Sequence, residues 1–107
     1  MAKYLLKVSY NVEGIKGVMK EGGTSRVASV EKALSGVGGS LESFYFAFGG
    51  DDVYVIADVP DHASAMALAA AVGSSGAIGH YETVVLLTPA EVDAAMKMAV
   101  DYHPPGS

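Results

Sequence analysis

The chain has no cysteine and no tryptophan, and its seven Lys and Arg are outnumbered by twelve Asp and Glu. Without cysteine there is no disulfide framework, thiolate nucleophile, iron–sulfur cluster or cysteine zinc site. The formal net charge of −5 works against a nucleic-acid binder, whose phosphate contacts need clustered Lys and Arg. No apolar run approaches the roughly 18 residues that a membrane span requires. The expectation is therefore a soluble, cytoplasmic protein with no membrane or nucleic-acid partner. Only 18% of residues are charged while 50% are hydrophobic, which excludes intrinsic disorder. A chain of 107 residues makes one domain, assigned to residues 1–100, with a loose tail over 101–107.

The charge that is present is polarised. Residues 1–32 carry six basic and three acidic groups, and residues 33–107 carry one basic and nine acidic groups. Lys16, Lys20, Arg26 and Lys32 read as a solvated helix face, with anion attraction as the alternative.

Strand and helix periods alternate along the chain. Tyr4 to Tyr10 reads as a strand, with Tyr4, Leu6, Val8 and Tyr10 on one face and Leu5, Lys7 and Ser9 on the other. Thr24 or Ser25 caps a helix whose stripe is Val27, Val30, Leu34 and Val37, ending at Gly36-Val37-Gly38-Gly39. A second strand spans Leu41 to Phe48, with Phe44, Phe46 and Phe48 on one face and Ser43, Tyr45 and Ala47 on the other. Gly49-Gly50-Asp51-Asp52 joins it to a third strand, Val53 to Ala57, as a hairpin in which those residues tolerate positive φ. Asp61 caps an alanine-rich helix, Tyr81 to Leu87 forms the fourth strand, and Thr88-Pro89-Ala90-Glu91 is a capping box opening a last helix to about Val100.

The order β-α-β-β-α-β with an added C-terminal helix is the ferredoxin-like α+β arrangement, an antiparallel four-stranded sheet with helices on one face. The bare face holds apolar residues, and pairing with a second copy of the chain is the economical way to cover it.

Several landmarks occur in the order of a known family: Tyr10, Gly14-Ile15-Lys16, Arg26, Gly38-Gly39, Phe44-Tyr45, Gly49-Gly50-Asp51-Asp52, Pro60-Asp61 and Thr88-Pro89-Ala90-Glu91. From Tyr4 to about Met98 the chain resembles the GYD-domain family. Gly49 and Asp52 match the eponymous glycine and aspartate, and are given a structural role, whereas Asp51 stands where that family has its tyrosine. The resemblance implies a bacterial or archaeal subunit of the dimeric α/β-barrel type. It implies no settled reaction, and no cofactor is named by it.

Motif spacing narrows the chemistry. The glycine run at 36–39 follows a helix and precedes a strand, the reverse of a phosphate-binding turn. Gly22-Gly23-Thr24 reads as a helix start, with an anion beside Arg26 as the alternative. No G-x-S-x-G elbow is present. His62, His80 and His103 lack metal-ligand spacing, so no metal site is assigned, although folding could still bring one of them to Asp51, Asp52 or Glu82. The candidate ligand-binding residues are the polar ones expected on the bare sheet face or at its rim: Lys7, Ser9, Tyr45, His80 and Glu82. Three readings stand. In the first, a homo-oligomer binds a small, partly apolar molecule in the barrel interior. In the second, a cofactor-independent monooxygenase, isomerase or decarboxylase uses Tyr45, Lys7 or His80 for proton handling. In the third, the protein is a structural or regulatory oligomer without ligand.

Overall fold

The computed structural model describes residues 1–107. Its elements run β1 (Ala2–Tyr10), α1 (Val12–Glu21), α2 (Gly23–Gly36), β2 (Ser40–Phe46), β3 (Val53–Val59), α3 (His62–Gly73), β4 (Ile78–Leu86) and α4 (Pro89–Met96). The strands form one antiparallel sheet in the order β2-β3-β1-β4, so the fold is the expected ferredoxin-like α+β arrangement with a C-terminal helix.

Alternation sorts the two central strands. Tyr4, Leu6 and Val8 of β1 are buried opposite Ala57, Val55 and Val53 of β3, beneath the helices. Leu34 of α2 and Ala65 and Leu68 of α3 close over them, and Val30 and Val37 of α2 pack at the margin. Only twelve of the 107 residues are buried, because the opposite sheet face has no helix over it. The core is therefore half of what this sheet is able to organise.

Local sequence departs from expectation in five places. The order β-α-β-β-α-β has one helix between the first two strands, whereas the structure has two, because the Gly14 and Gly17 stretch is also helical. The Asn11 side chain accepts a hydrogen bond from Gly14 N at 2.9 Å and caps α1. Gly14 is needed there, since a Cβ at that position would lie 2.1 Å from the carbonyl oxygen of Ala77. The second helix begins at Gly23, after Gly22 with φ 87°, and has no side-chain cap from Thr24 or Ser25. Strand β2 stops at Phe46, so Phe48 is fully exposed rather than sharing the face of Phe44 and Phe46. In the β2–β3 connection neither Gly49 nor Gly50 adopts positive φ. The loop is tied by Ala47 N donating to Asp52 O at 2.9 Å and by the two aspartate side chains, so hydrogen bonds replace turn conformation as its determinant. Finally, β4 starts earlier, at Ile78, and α4 stops earlier, at Met96.

Other local signals match the observed ends. Asp61 caps α3 by accepting from Ser64 N at 2.8 Å. Thr88 and Glu91 form a reciprocal capping box, and Gly38, with φ 76°, follows the end of α2. Helix α4 has no packed partner among the other elements, and Val92, Met96, Met98 and Val100 are all exposed. The radius of gyration is accordingly 16.9 Å, against about 13 Å for a compact chain of about 100 residues. No helix is long and apolar enough to cross a membrane.

The two glycines of α1 separate close approach from helix propensity. Gly14→Ala is expected to lose about 1–3 kcal/mol through the clash with Ala77 O. Gly17→Ala, with nothing within 4 Å of its added methyl, is expected to gain about 0.5–1 kcal/mol by propensity alone. Urea unfolding of both variants checks the opposite signs.

Candidate functional site

The helix-free face carries one row of side chains across all four strands. Tyr45 of β2 stands opposite Tyr54 of β3, Tyr54 opposite Lys7 of β1, and Lys7 opposite Glu82 of β4. One row further on, Ser9 of β1 faces His80 of β4. In the other direction the row is Ser43, Ile56, Leu5 and Val84, which is mainly apolar. A shallow groove of about 460 Å³ runs between these rows, lined by Leu5, Lys7, Ser43, Tyr45, Tyr54 and Ile56.

Four of the five candidate residues form a connected group. Lys7 Nζ lies 3.6 Å from Glu82 Oε1 and 3.7 Å from Asp51 Oδ2. The Ser9 hydroxyl donates to Asp51 Oδ1 at 3.0 Å and approaches the carbonyl of Gly50 at 3.2 Å. His80 Nε2 lies 4.0 Å from Glu82 Oε1. Tyr45 stands apart, two strands from Lys7 and 71% exposed.

The residue that holds this group together is Asp51, which the sequence reading left in the turn. It is the one buried charged side chain of the protein, 8% exposed. Its neighbour Asp52 points elsewhere, accepting from Tyr10 N at 2.9 Å, while Asp52 N donates to Val8 O at 2.9 Å. The two adjacent carboxylates thus fasten the β2–β3 loop to the end of β1 from two sides. Gly49 is exposed, with open space where a Cβ would sit. The sequence signal for Asp51 was its departure from the family tyrosine inside a glycine-rich turn.

Electrostatics fixes the protonation of Lys7. Glu82 and then Asp51 raise its pKa above the ordinary lysine value of 10.5, against an opposing effect of desolvation. The ammonium therefore keeps its proton at neutral pH and serves as a fixed positive charge. It is unsuited to act as a base or an amine nucleophile. At the far end of the same face, Lys3 bonds to Glu42 and to Asp58, 3.0 Å away, and those contacts raise its pKa as well. Glu42 reaches that position because the register shifts between Leu41 and Ser43. On the helix side, His62 is hydrogen-bonded to the Tyr4 hydroxyl at 2.5 Å. No three His, Asp or Glu side chains gather as metal ligands would.

A ferredoxin-like sheet bare on one side, with a polar row beside an apolar one, defines a small α+β domain of the single-layer-covered class. The family model of the GYD domain matches residues 4–96, and the chain belongs to the GYD-domain family. No curated protein matches it.

Replacing Lys7 with Met leaves Asp51 buried beside no cation and is expected to lower the thermal midpoint at neutral pH. A raised lysine pKa stabilises the fold fully below 10.5, and that contribution is lost as pH climbs through the higher folded-state value. Thermal melts from neutral pH upward are expected to show a constant deficit that narrows above 10.5.

Proposed function

We propose that this GYD-domain protein is a homo-oligomer in which two helix-free sheet faces meet and enclose a small, partly apolar molecule against the row Tyr45, Tyr54, Lys7 and Glu82. The observation that carries this reading is the composition of the bare face. Leu5, Tyr54, Ile56, Val84 and Leu86 lie there without a covering element, 36% exposure at Tyr54 included. Contiguous apolar surface of this kind favours association with a matching surface, and a second copy supplies one by symmetry. The charged groups flank the apolar row and are already neutralised in part by ion pairs within the chain, so two faces approach without an isolated buried charge.

Within such an interior the groove between the two rows offers apolar walls, two phenols, a serine hydroxyl and an ammonium, the mixture typical of small-molecule sites. The firmly held proton of Lys7 favours binding over the alternative of a cofactor-independent enzyme that uses it for proton transfer. It leaves such an enzyme only Tyr45 and His80.

Light scattering after size exclusion at micromolar concentration is expected to give at least twice the chain mass of 11.0 kDa. The Ile56→Asp variant, with its carboxylate in the middle of the bare face, is expected to run as a monomer. A monomeric parent protein would end the proposal. Thermal-shift screening against small metabolites then reads the ligand: shifts that disappear in Lys7→Ala and shrink in Tyr45→Phe support the groove, and shifts unchanged in both variants discard it.

A further inference from the structure

The covered side of the sheet holds a second cavity, independent of the reading above. Helix α2 packs on β2 and α1, and α3 packs on β3 and β4, with no comparable packing of the two helices on each other. Between them the sheet floor is reached through a cleft whose inner chamber has a volume of about 100 Å³ and is walled mostly by apolar side chains, among them Val8, Val30, Val55 and Leu68. It shares Tyr10, Arg26, Ala33, Val72 and Ile78 with a wider outer chamber of about 390 Å³ that reaches α1. An apolar cavity of about 150 Å³ is known to stay dry and to admit a six-membered hydrocarbon ring, a volume that the inner chamber reaches together with part of the outer one.

Tyr81 and Arg26 are among the polar side chains of these walls without a partner in the chain, the Tyr10 hydroxyl and the Glu21 carboxylate being others. The Tyr81 hydroxyl is buried and has no partner at good hydrogen-bond geometry, the Thr83 side chain lying close enough only to oppose in part the effect of burial on its pKa. Burial also pushes its pKa up, so it remains a neutral O–H donor. Arg26 lines both chambers, is half-buried, and makes neither an ion pair nor a hydrogen bond. A buried donor without an acceptor, as at Tyr81, is uncommon in folded proteins, whereas the half-buried Arg26 guanidinium stays open to solvent and to a ligand. Glu13 and Glu21 border the outer chamber, Glu13 being 3.7 Å from Lys16, so the guanidinium is the only cation lining it.

We propose that the cleft between α2 and α3 binds a small aromatic carboxylic acid bearing a second oxygen on its ring. The ring occupies the inner chamber, the ring oxygen accepts from the Tyr81 hydroxyl, and the carboxylate meets Arg26 towards the opening. The apolar walls account for the ring, the orphan hydroxyl for the oxygen, and the unpaired guanidinium for the acid.

Backbone-amide NMR titration of the full chain with 4-hydroxyphenylacetate and with phenylacetate tests this. Both are expected to shift amides of Val30, Val72 and Tyr81, with phenylacetate at least about fivefold weaker for want of the hydrogen bond. In Tyr81→Phe that difference disappears, while the ligand-free variant unfolds at the same temperature as the parent or higher, because an unsatisfied hydroxyl has been removed. Arg26→Gln weakens both acids and leaves their ratio intact. Equal affinities in the parent, an unchanged ratio in Tyr81→Phe, or shifts confined to Leu5 and Tyr54 on the opposite face would each overturn the proposal. So would cleft shifts on deleting residues 88–107, which would make the chain's own C-terminal segment the occupant.

Discussion

A single asymmetry governs this molecule: helices cover one side of a sheet whose central strands alternate cleanly between two kinds of side chain. On β1, residues with even numbers go beneath the helices and those with odd numbers go to the bare side. A shift of one residue would bury Lys7 and Ser9 and expose Leu6 and Val8, so register is strongly fixed wherever the helices press. The row Tyr45, Tyr54, Lys7 and Glu82 exists because three pairings hold one register between the irregularities at Leu41/Ser43 and Ser9/Tyr10. Everything polar that the bare face presents is thus a by-product of how the other face is packed.

The same asymmetry explains where charge ends up. Basic groups near the start of the chain and acidic groups later in it are brought together by the antiparallel order of the strands. Lys3 meets Glu42 and Asp58, and Lys7 meets Asp51 and Glu82. A polarity that looks lopsided in the linear chain is partly paired in space. The pairs with Glu42, Asp58 and Glu82 are part-exposed, so their worth lies more in orienting the lysines than in stability, whereas Lys7 also neutralises the buried Asp51.

Much of this was legible beforehand because it follows from periodicity. Alternation in Tyr4 to Tyr10 placed Lys7 and Ser9 on one face, and Thr88 and Asp61 marked helix starts by their hydrogen-bonding chemistry. The misses have a common cause in tertiary contacts. Gly14 reads as a loop residue until Ala77 is seen pressed against it, and two glycines mask the local signals of α1, the Asn11 cap, Glu13 in its first turn and Lys20 in its last. Asp51 reads as a turn former until β1 is folded against the loop, when it becomes the buried acceptor for Ser9 and the counter-ion of Lys7. Tyr45 shares the row yet not the cluster, since register fixes the strand position and not the distance between side-chain ends.

Helix α4 stands outside this economy of contacts. Its capping box fixes where it begins, yet nothing packed against it fixes where it points, and the molecule reaches 57 Å along its longest axis. A dye or affinity handle attached beyond Met98 would therefore hang on an exposed, unpacked segment and report on the tumbling of that segment separately from the body of the protein.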